Sequence, residues 1–170
     1  WPWWSGMRES RYITQHIVAG FGHLQQLDAF YPEHGTDSER MIERAIDWLD
    51  TEVEREHQRR LRESKVDSLP NPSVEDVHYL YALSHFPRFA LGRIKGNAVT
   101  FMLDGVQRNW LSYGMQEQAM IAIALHRMVD DAVPMLIMKS LAERATVSEE
   151  LGMYWKDFRA GYRWNEFPAE

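Results

Sequence analysis

The sequence predicts an all-α protein built of helical hairpins, arranged as a solenoid or as part of an α/α toroid. Three observations predict it. Six segments carry apolar residues at the 3.6-residue period, and punctuated loops separate them. One of these segments is apolar on most sides, as expected of a helix buried on both flanks. Aromatic and glycine-rich stretches stand at both ends, Trp1-Pro2-Trp3-Trp4 and Gly161-Tyr162-Arg163-Trp164, and read as lead-ins to successive layers. The second lead-in has no helix after it, and the first residue is not Met. The expectation is therefore a piece of a larger protein, a partial toroid spanning residues 1–170.

The first helix is predicted over Arg11–Leu27, with Ile13, Ile17, Phe21, Leu24 and Leu27 on one stripe. Gly20 and Gly22 each weaken an isolated helix by about 1 kcal/mol, so their expected use is close approach of a neighbour. Tyr31-Pro32 and Gly35 mark a loop. Asp37 or Ser38 is the expected cap of the second helix, whose buried face is Met41, Ile42, Ala45, Ile46, Leu49 and Val53. From Glu54 to Ser64 only Leu61 is strongly apolar, so this half is expected to project into solvent on pairs such as Glu56–Arg60. Leu69-Pro70-Asn71-Pro72 breaks the chain.

Ser73 is the expected cap of a third helix, with Val74, Val77, Leu80, Tyr81 and Phe86 inward and Pro87 and Gly92 ending it. A fourth helix is predicted over Asn97–Tyr113, with Val99, Met102, Leu103, Val106 and Trp110 inward and Gly114 as its terminator. The fifth, Glu117–Val129, is the all-round apolar one, with Met120, Ile121, Ile123, Ala124, Leu125 and Met128. Asp130 or Asp131 caps a sixth, with Pro134 tolerated in its first turn and Leu136, Ile137 and Leu141 beyond. After Ala145 the period fails, and Leu151–Trp164 reads as an extended loop or short hairpin.

Composition removes several functions. A net charge of −6 opposes a nucleic-acid surface, which needs a basic excess. Arg55, Arg59, Arg60, Arg62 and Lys65 are interleaved with Glu52, Glu54, Glu56 and Glu63, a mixed-sign helix face. The absence of cysteine removes disulfides, thiolate metal sites and a Cys nucleophile from these residues. No apolar run reaches the ~18 residues of a membrane span, and no signal peptide is visible, as a piece would lack one.

Four constellations have a chemical reading beside a structural one. Glu54-x-x-His57 and Glu75-x-x-His78 have the spacing of di-metal bundle ligands, but further inward carboxylates are not evident, so no metal site is assigned. His16 and His23 share one side of the first helix and lack a third ligand. His126 with Asp130 reads as a helix-end pair rather than an oriented base. Trp1, Trp3, Trp4, Tyr154, Trp155, Tyr162 and Trp164 suit plugging between layers, each indole N–H satisfied at a carbonyl, more than ligand stacking. No catalytic residue, metal site or cofactor is assigned.

Two stretches carry a family resemblance. WPWWSGMRESRYITQHIVAGFGHL at Trp1–Leu24 and SEELGMYWKDFRAGYRWNEFPAE at Ser148–Glu170 resemble the thioester-domain region of bacterial alpha-2-macroglobulin-like proteins, exported protease inhibitors related to complement components. Residues 29–147 match mainly in helix order. The resemblance implies an α/α toroid, the architecture shared with terpenoid cyclases and protein prenyltransferases. It implies a periplasmic or cell-envelope location, proteases as partners of the intact parent, and contacts with its neighbouring domains. It also implies a mechanism in which bait cleavage cages the protease and a Cys–Gln thioester can acylate it. The family's Cys-x-Glu-Gln signature is absent; Met115-Gln116-Glu117-Gln118 has Glu-Gln without Cys and lies too late in the domain. The expectation is a non-catalytic scaffold that forms no acyl adduct and self-associates through apolar faces such as Ile13–Ile17–Leu24. Two alternatives remain. One is a carbohydrate-active or prenyl-type toroid enzyme, with acids supplied from Asp104, Asp130, Asp131, Asp157 and Glu166. The other is a free-standing helical-repeat interaction module.

Overall fold

Serine, threonine and proline fix where the first four helices begin. In the computed structural model, which describes residues 1–2, 4–30, 36–64, 70–93 and 97–156 (side chains of 91–93 excepted), Ser10 caps α1 (Arg11–Gln26) by accepting from the Ile13 N–H. Thr36, not Asp37 or Ser38, caps α2 (Asp37–Glu63) by accepting from Glu39 N–H, and both predicted caps lie inside the helix. Ser73 caps α3 (Val74–Ser84) as expected and does so in a full capping box with Asp76.

Pro87 does not simply end α3. His85 and Phe86 separate α3 from a short α4 (Pro87–Arg93), which Pro87 opens and which contains Gly92. The described residues therefore hold seven α-helices where the sequence suggests six. The others are α5 (Asn97–Asn109), α6 (Met115–Met128) and α7 (Ala132–Arg144). A 3-10 turn, Trp110–Ser112, finishes the predicted fourth helix, and Gly114 stands at the N-cap of α6 rather than only closing the helix before it. An antiparallel hairpin of β1 (Thr146–Ser148) and β2 (Gly152–Tyr154) follows, starting earlier than predicted. Tyr31, Pro32, Gly35 and Leu69 lie outside the described residues.

Two layers emerge from the contacts. The start of α1 meets the start of α3 (Arg11 to Asp76, 2.8 Å), and the end of α1 meets the end of α3 at Gly22 and His85. α3 and α6 likewise share an end, where Arg127 donates to Ser84 Oγ (3.3 Å), and a beginning, where the Tyr113 hydroxyl donates to Pro72 O (2.6 Å). α1, α3 and α6 are thus parallel neighbours. α2 runs the opposite way, its last turns meeting the starts of α1 and α3. α5 follows α2: Ala98 N–H donates to Glu54, and Phe101 packs on His57. α7 returns along α6, from His126–Asp131 at one end to Arg144–Gln118 at the other. Leaving aside the short α4, successive helices alternate between an inner set (α1, α3, α6) and an outer set (α2, α5, α7).

The core fills the space between the sets. Ile42, Ile46, Leu49 and Val53 of α2 join Val77, Tyr79, Leu80 and Leu83 of α3, and the cluster continues through Met102, Val106, Ile121, Leu125 and Ile137. α3 is the most enclosed helix, whereas α6, predicted to be buried all round, leaves Ile123 exposed. Further expectations change. The buried face of α1 is Thr14, Gln15, Val18, Ala19 and Gly22. Ile13, Ile17 and Phe21 are half-buried beside it, and Leu24 and Leu27 are exposed, because small residues are what allow α3 to approach. Met41, Val74 and Leu136 are exposed. Finally, the 54–63 half of α2 does not project freely: His57 is buried and Glu56 and Arg60 are tied to α1 and α3.

Candidate functional site

Three parallel inner helices leave a concave cleft of about 800 Å³ along their common face. α1 contributes Tyr12, Gln15, His16 and His23; α3 contributes Glu75, His78 and Tyr81; α6 contributes Glu117, Met120 and Ile123. This is the size at which small-molecule sites are found.

One wall is a ladder of rings along the α1–α3 seam. The Tyr12 and His16 rings lie 4.2 Å apart, as do His16 and His78. Tyr81 follows, then His23 and His85, whose rings are 5.1 Å apart. His23 Nε2 and the Tyr81 hydroxyl share a hydrogen bond of 2.6 Å. Gly22 makes the end of the ladder possible, since a Cβ there would sit 2.4 Å from His85 Cβ. The His85 ring nitrogens are buried with no hydrogen-bond partner among the described residues.

A partly buried ion network stands beside this wall. Asp76, whose side chain is fully buried, accepts from Arg11 (2.8 Å) and Arg60 (2.7 Å), and Glu56 accepts from both arginines. Burial alone would raise the Asp76 carboxyl, but the Arg11 charge and the hydrogen bonds from Arg60, Arg11 and the Ser73 backbone outweigh it and hold it below the usual range. Arg11 Nε also donates to Gln15 Oε1 (2.8 Å), which turns the Gln15 amide nitrogen toward Glu75 O and His78 Nδ1. His78 Nδ1 therefore accepts, and its proton sits on Nε2. Burial, then the charges of His16, Arg11 and His23, pull the His78 pKa down to about 3. His85 is pulled down to about 4, first by burial and then by Arg127 and His23. His16 Nδ1–H donates to Tyr12 O (3.0 Å).

The sequence-predicted groups are distributed as follows. His16 and His23 both enter the cleft. Of the five acids weighed for catalysis, Asp104, Asp130 and Asp131 are exposed away from it, and Asp157 and Glu166 lie outside the described residues. The two Glu-x-x-His steps do not converge: Glu54 accepts from Ala98 N–H and His57 packs on Phe101, while Glu75 and His78 belong to the cleft. Among the described residues no group of three or more His, Cys, Asp or Glu is positioned to hold a metal ion. His126 pairs with Asp131, and Asp130 accepts from Ala132 N–H instead. Trp1 and Trp155 do plug: both pack on the core, and Trp155 Nε1–H donates to Leu141 O (2.8 Å). Trp4 is exposed, and Trp3, Tyr162 and Trp164 lie outside the described residues.

His78 and His85 are the ladder residues that sequence reasoning did not join to His16 and His23. The signal was available: both helices carry histidines seven residues apart, which pair when the helices run parallel and in register. Among the described residues no helix is long and apolar enough to cross a membrane. Compared with protein-family models, curated proteins and solved structures, the chain finds no match.

Proposed function

We propose that this chain is a non-catalytic scaffold, a stretch of an α/α toroid from an exported bacterial alpha-2-macroglobulin-like protease trap. The observation that supports it is the alternation of helices between a parallel inner set and an opposed outer set, the arrangement from which a toroid is built. The resemblance of Trp1–Leu24 and Ser148–Glu170 supplies the family. In this reading the inner helices carry the concave face, the outer helices carry contacts to neighbouring domains, and proteases are met by the parent. The test is the parent itself. Its coding sequence is expected to carry the thioester signature, or its relic, upstream of Trp1. The intact protein, challenged with trypsin, is expected to retain it in a form that cleaves small substrates but not proteins. A free protease, fully active on protein substrates, rules the reading out.

A toroid enzyme is the second reading. It is favoured by the convergence of His16, His23, His78 and Tyr81 in one cleft. Under it, His78→Ala abolishes turnover of a glycoside or prenyl substrate without unfolding the chain; equal turnover by the variant rejects it.

A further inference from the structure

Four of the seven histidines stand on one seam, His16 and His23 of α1 against His78 and His85 of α3. Of the others, His57 packs on Phe101 between α2 and α5, His126 is exposed, and His34 lies outside the described residues. Two of the four are held in ways that fit only the neutral ring. His78 Nδ1 accepts from the amide of Gln15, which is fully buried and whose oxygen is taken by Arg11. A proton on that nitrogen would set donor against donor. Both ring nitrogens of His85 are buried without a hydrogen-bond partner among the described residues, and Gly22 of α1 packs directly against the ring. A charged ring there would be desolvated and unpaired. The surroundings do not offset this. His78 faces Arg11, His16 and His23 of α1, and His85 faces His23 and, on α6, Arg127. The Gly22 backbone favours a charged His85, but burial, Arg127 and His23 outweigh it. Tyr81 shares its hydrogen bond with His23, and Glu39 of α2 and Arg88 of α4, beside His85, pair with each other. Glu75 and Glu117 line the same cleft, and neither is ion-paired with His78 among the described residues.

We propose that the seam between α1 and α3 is an acid-operated latch: in mildly acidic solution the length of α1 beyond Gln15 swings off α3 and opens the cleft, while the start of α1 stays pinned and α3, α6 and α7 stay packed. Opening gives both α3 rings water, so the open form takes up protons that the closed form refuses. The pin is Arg11, held by Glu56 and Asp76. Asp76 stays ionised below the usual carboxylate range, so the pin outlasts the acid that charges the histidines. The swinging length is intrinsically weak, since it contains Gly20 and Gly22 and ends beside the exposed Leu24. The joints that stay closed do not depend on a neutral histidine. Arg127 to Ser84 and Tyr113 to Pro72 join α6 to α3, and the His126–Asp131 pair joining α6 to α7 gains from a charged ring. The latch is independent of the scaffold reading, because it needs only this seam.

Amide hydrogen exchange of the 170-residue chain, followed residue by residue at pH 7, 6 and 5 and corrected for the intrinsic rate, tests it. Closed-state pKa values of about 3 for His78 and about 4 for His85, against ~6.5 for a freed ring, raise the opening constant on the order of a hundredfold or more from pH 7 to pH 5. Protection is expected to fall by that factor in residues 17–26 of α1, and not in residues 121–125 of α6 or 137–141 of α7. His85→Phe keeps a ring without a proton site, and His78→Asn keeps an acceptor for Gln15. Each is expected to remove about tenfold of the response, and together nearly all of it. His126→Asn, at the exposed pair, is expected to leave the α1 response unchanged. Should the double variant not fold, the contrast between α1 and the other two helices in the unaltered chain decides alone. Protection of α1 that does not change from pH 7 to pH 5 overturns the proposal. So does an equal loss in α1, α6 and α7, which marks global unfolding, or an α1 response that persists in the folded double variant.

Discussion

Asp76 ties three helices together through one carboxylate. It caps α3, pairs with Arg11 of α1 and pairs with Arg60 of α2. Removing one partner of a buried ion network leaves the others desolvated without a counter-charge, at a cost of about 3–5 kcal/mol. Asp76→Ala is therefore expected to lower the urea midpoint by that stability, with Asp76→Asn falling between it and the parent. The ladder histidines make a second residue-scale prediction. His78 and His85 have folded pKa values of about 3 and about 4, below the ~6.5 of an unfolded histidine. Their neutral forms are the ones that the fold accommodates, so the unfolded chain binds more protons below that pH. Their contribution is whole above about 6.5 and is lost as the pH falls toward about 4. The charges of Arg11, His16 and His23 beside His78, and of Arg127 and His23 beside His85, work in the same direction. Urea midpoints measured from pH 7 to pH 5 are expected to fall, and less steeply in His78→Gln. A pH-independent midpoint over that range contradicts the assignment. The depressed Asp76 carboxyl acts lower, losing its contribution only as the pH falls below about 3.9.

At the scale of the element, glycine separates two roles within one turn of α1. Gly22 stands where a Cβ would strike His85, whereas a Cβ at Gly20 meets no atom within 4 Å. Gly22→Ala is expected to destabilise by roughly 1–3 kcal/mol through forced displacement of α3. Gly20→Ala is expected to stabilise by about 0.5–1 kcal/mol, since alanine loses less freedom in a helix. Thermal unfolding of the two variants checks the opposite signs. The sequence suggests close approach at both glycines without telling them apart, because which one faces the neighbour depends on the rotation of α1. The same limit explains what was legible. Periodicity located α1, α2 and α3, although the stripe it picked on α1 is not the buried face, an all-round apolar run located α6, and Ser73 announced its own cap. It missed the split of α3 from α4, because Pro87 ends one helix and equally well begins another. It assigned the far half of α2 to solvent because its anchors are charged, and a charged residue declares its burial only once its partner on another helix is known. For the cleft, His16 and His23 were legible as one face, whereas the facing pair needed the parallel register of α1 and α3.

Across the whole molecule, apolar surface is unevenly spent. Met135, Leu136 and Met138 on α7 and Val147, Leu151 and Met153 of the hairpin are more than half exposed, and Trp155 ties the two elements together. Apolar patches beyond a few hundred Å² are uncommon on stable monomers. Self-association that rises with concentration is expected in light scattering and should weaken in Leu136→Asp, a better probe than the half-buried Ile17. A monomer at every concentration argues instead that this surface is tolerated in water. The layered arrangement has one more consequence, and it is electrical. Each helix carries a dipole, positive at its first turn. Between layers these dipoles oppose and largely cancel, because α2, α5 and α7 run against α1, α3 and α6. The cleft, however, is lined by the parallel set alone. The dipoles of these helices therefore add along it, positive at the end marked by Glu75 and Glu117, whose carboxylates act against them, and negative at the end marked by His23. A guest bearing a nitrile along that axis would report the field's direction through the sign of its vibrational shift, and would favour one of its two orientations without touching a charged side chain.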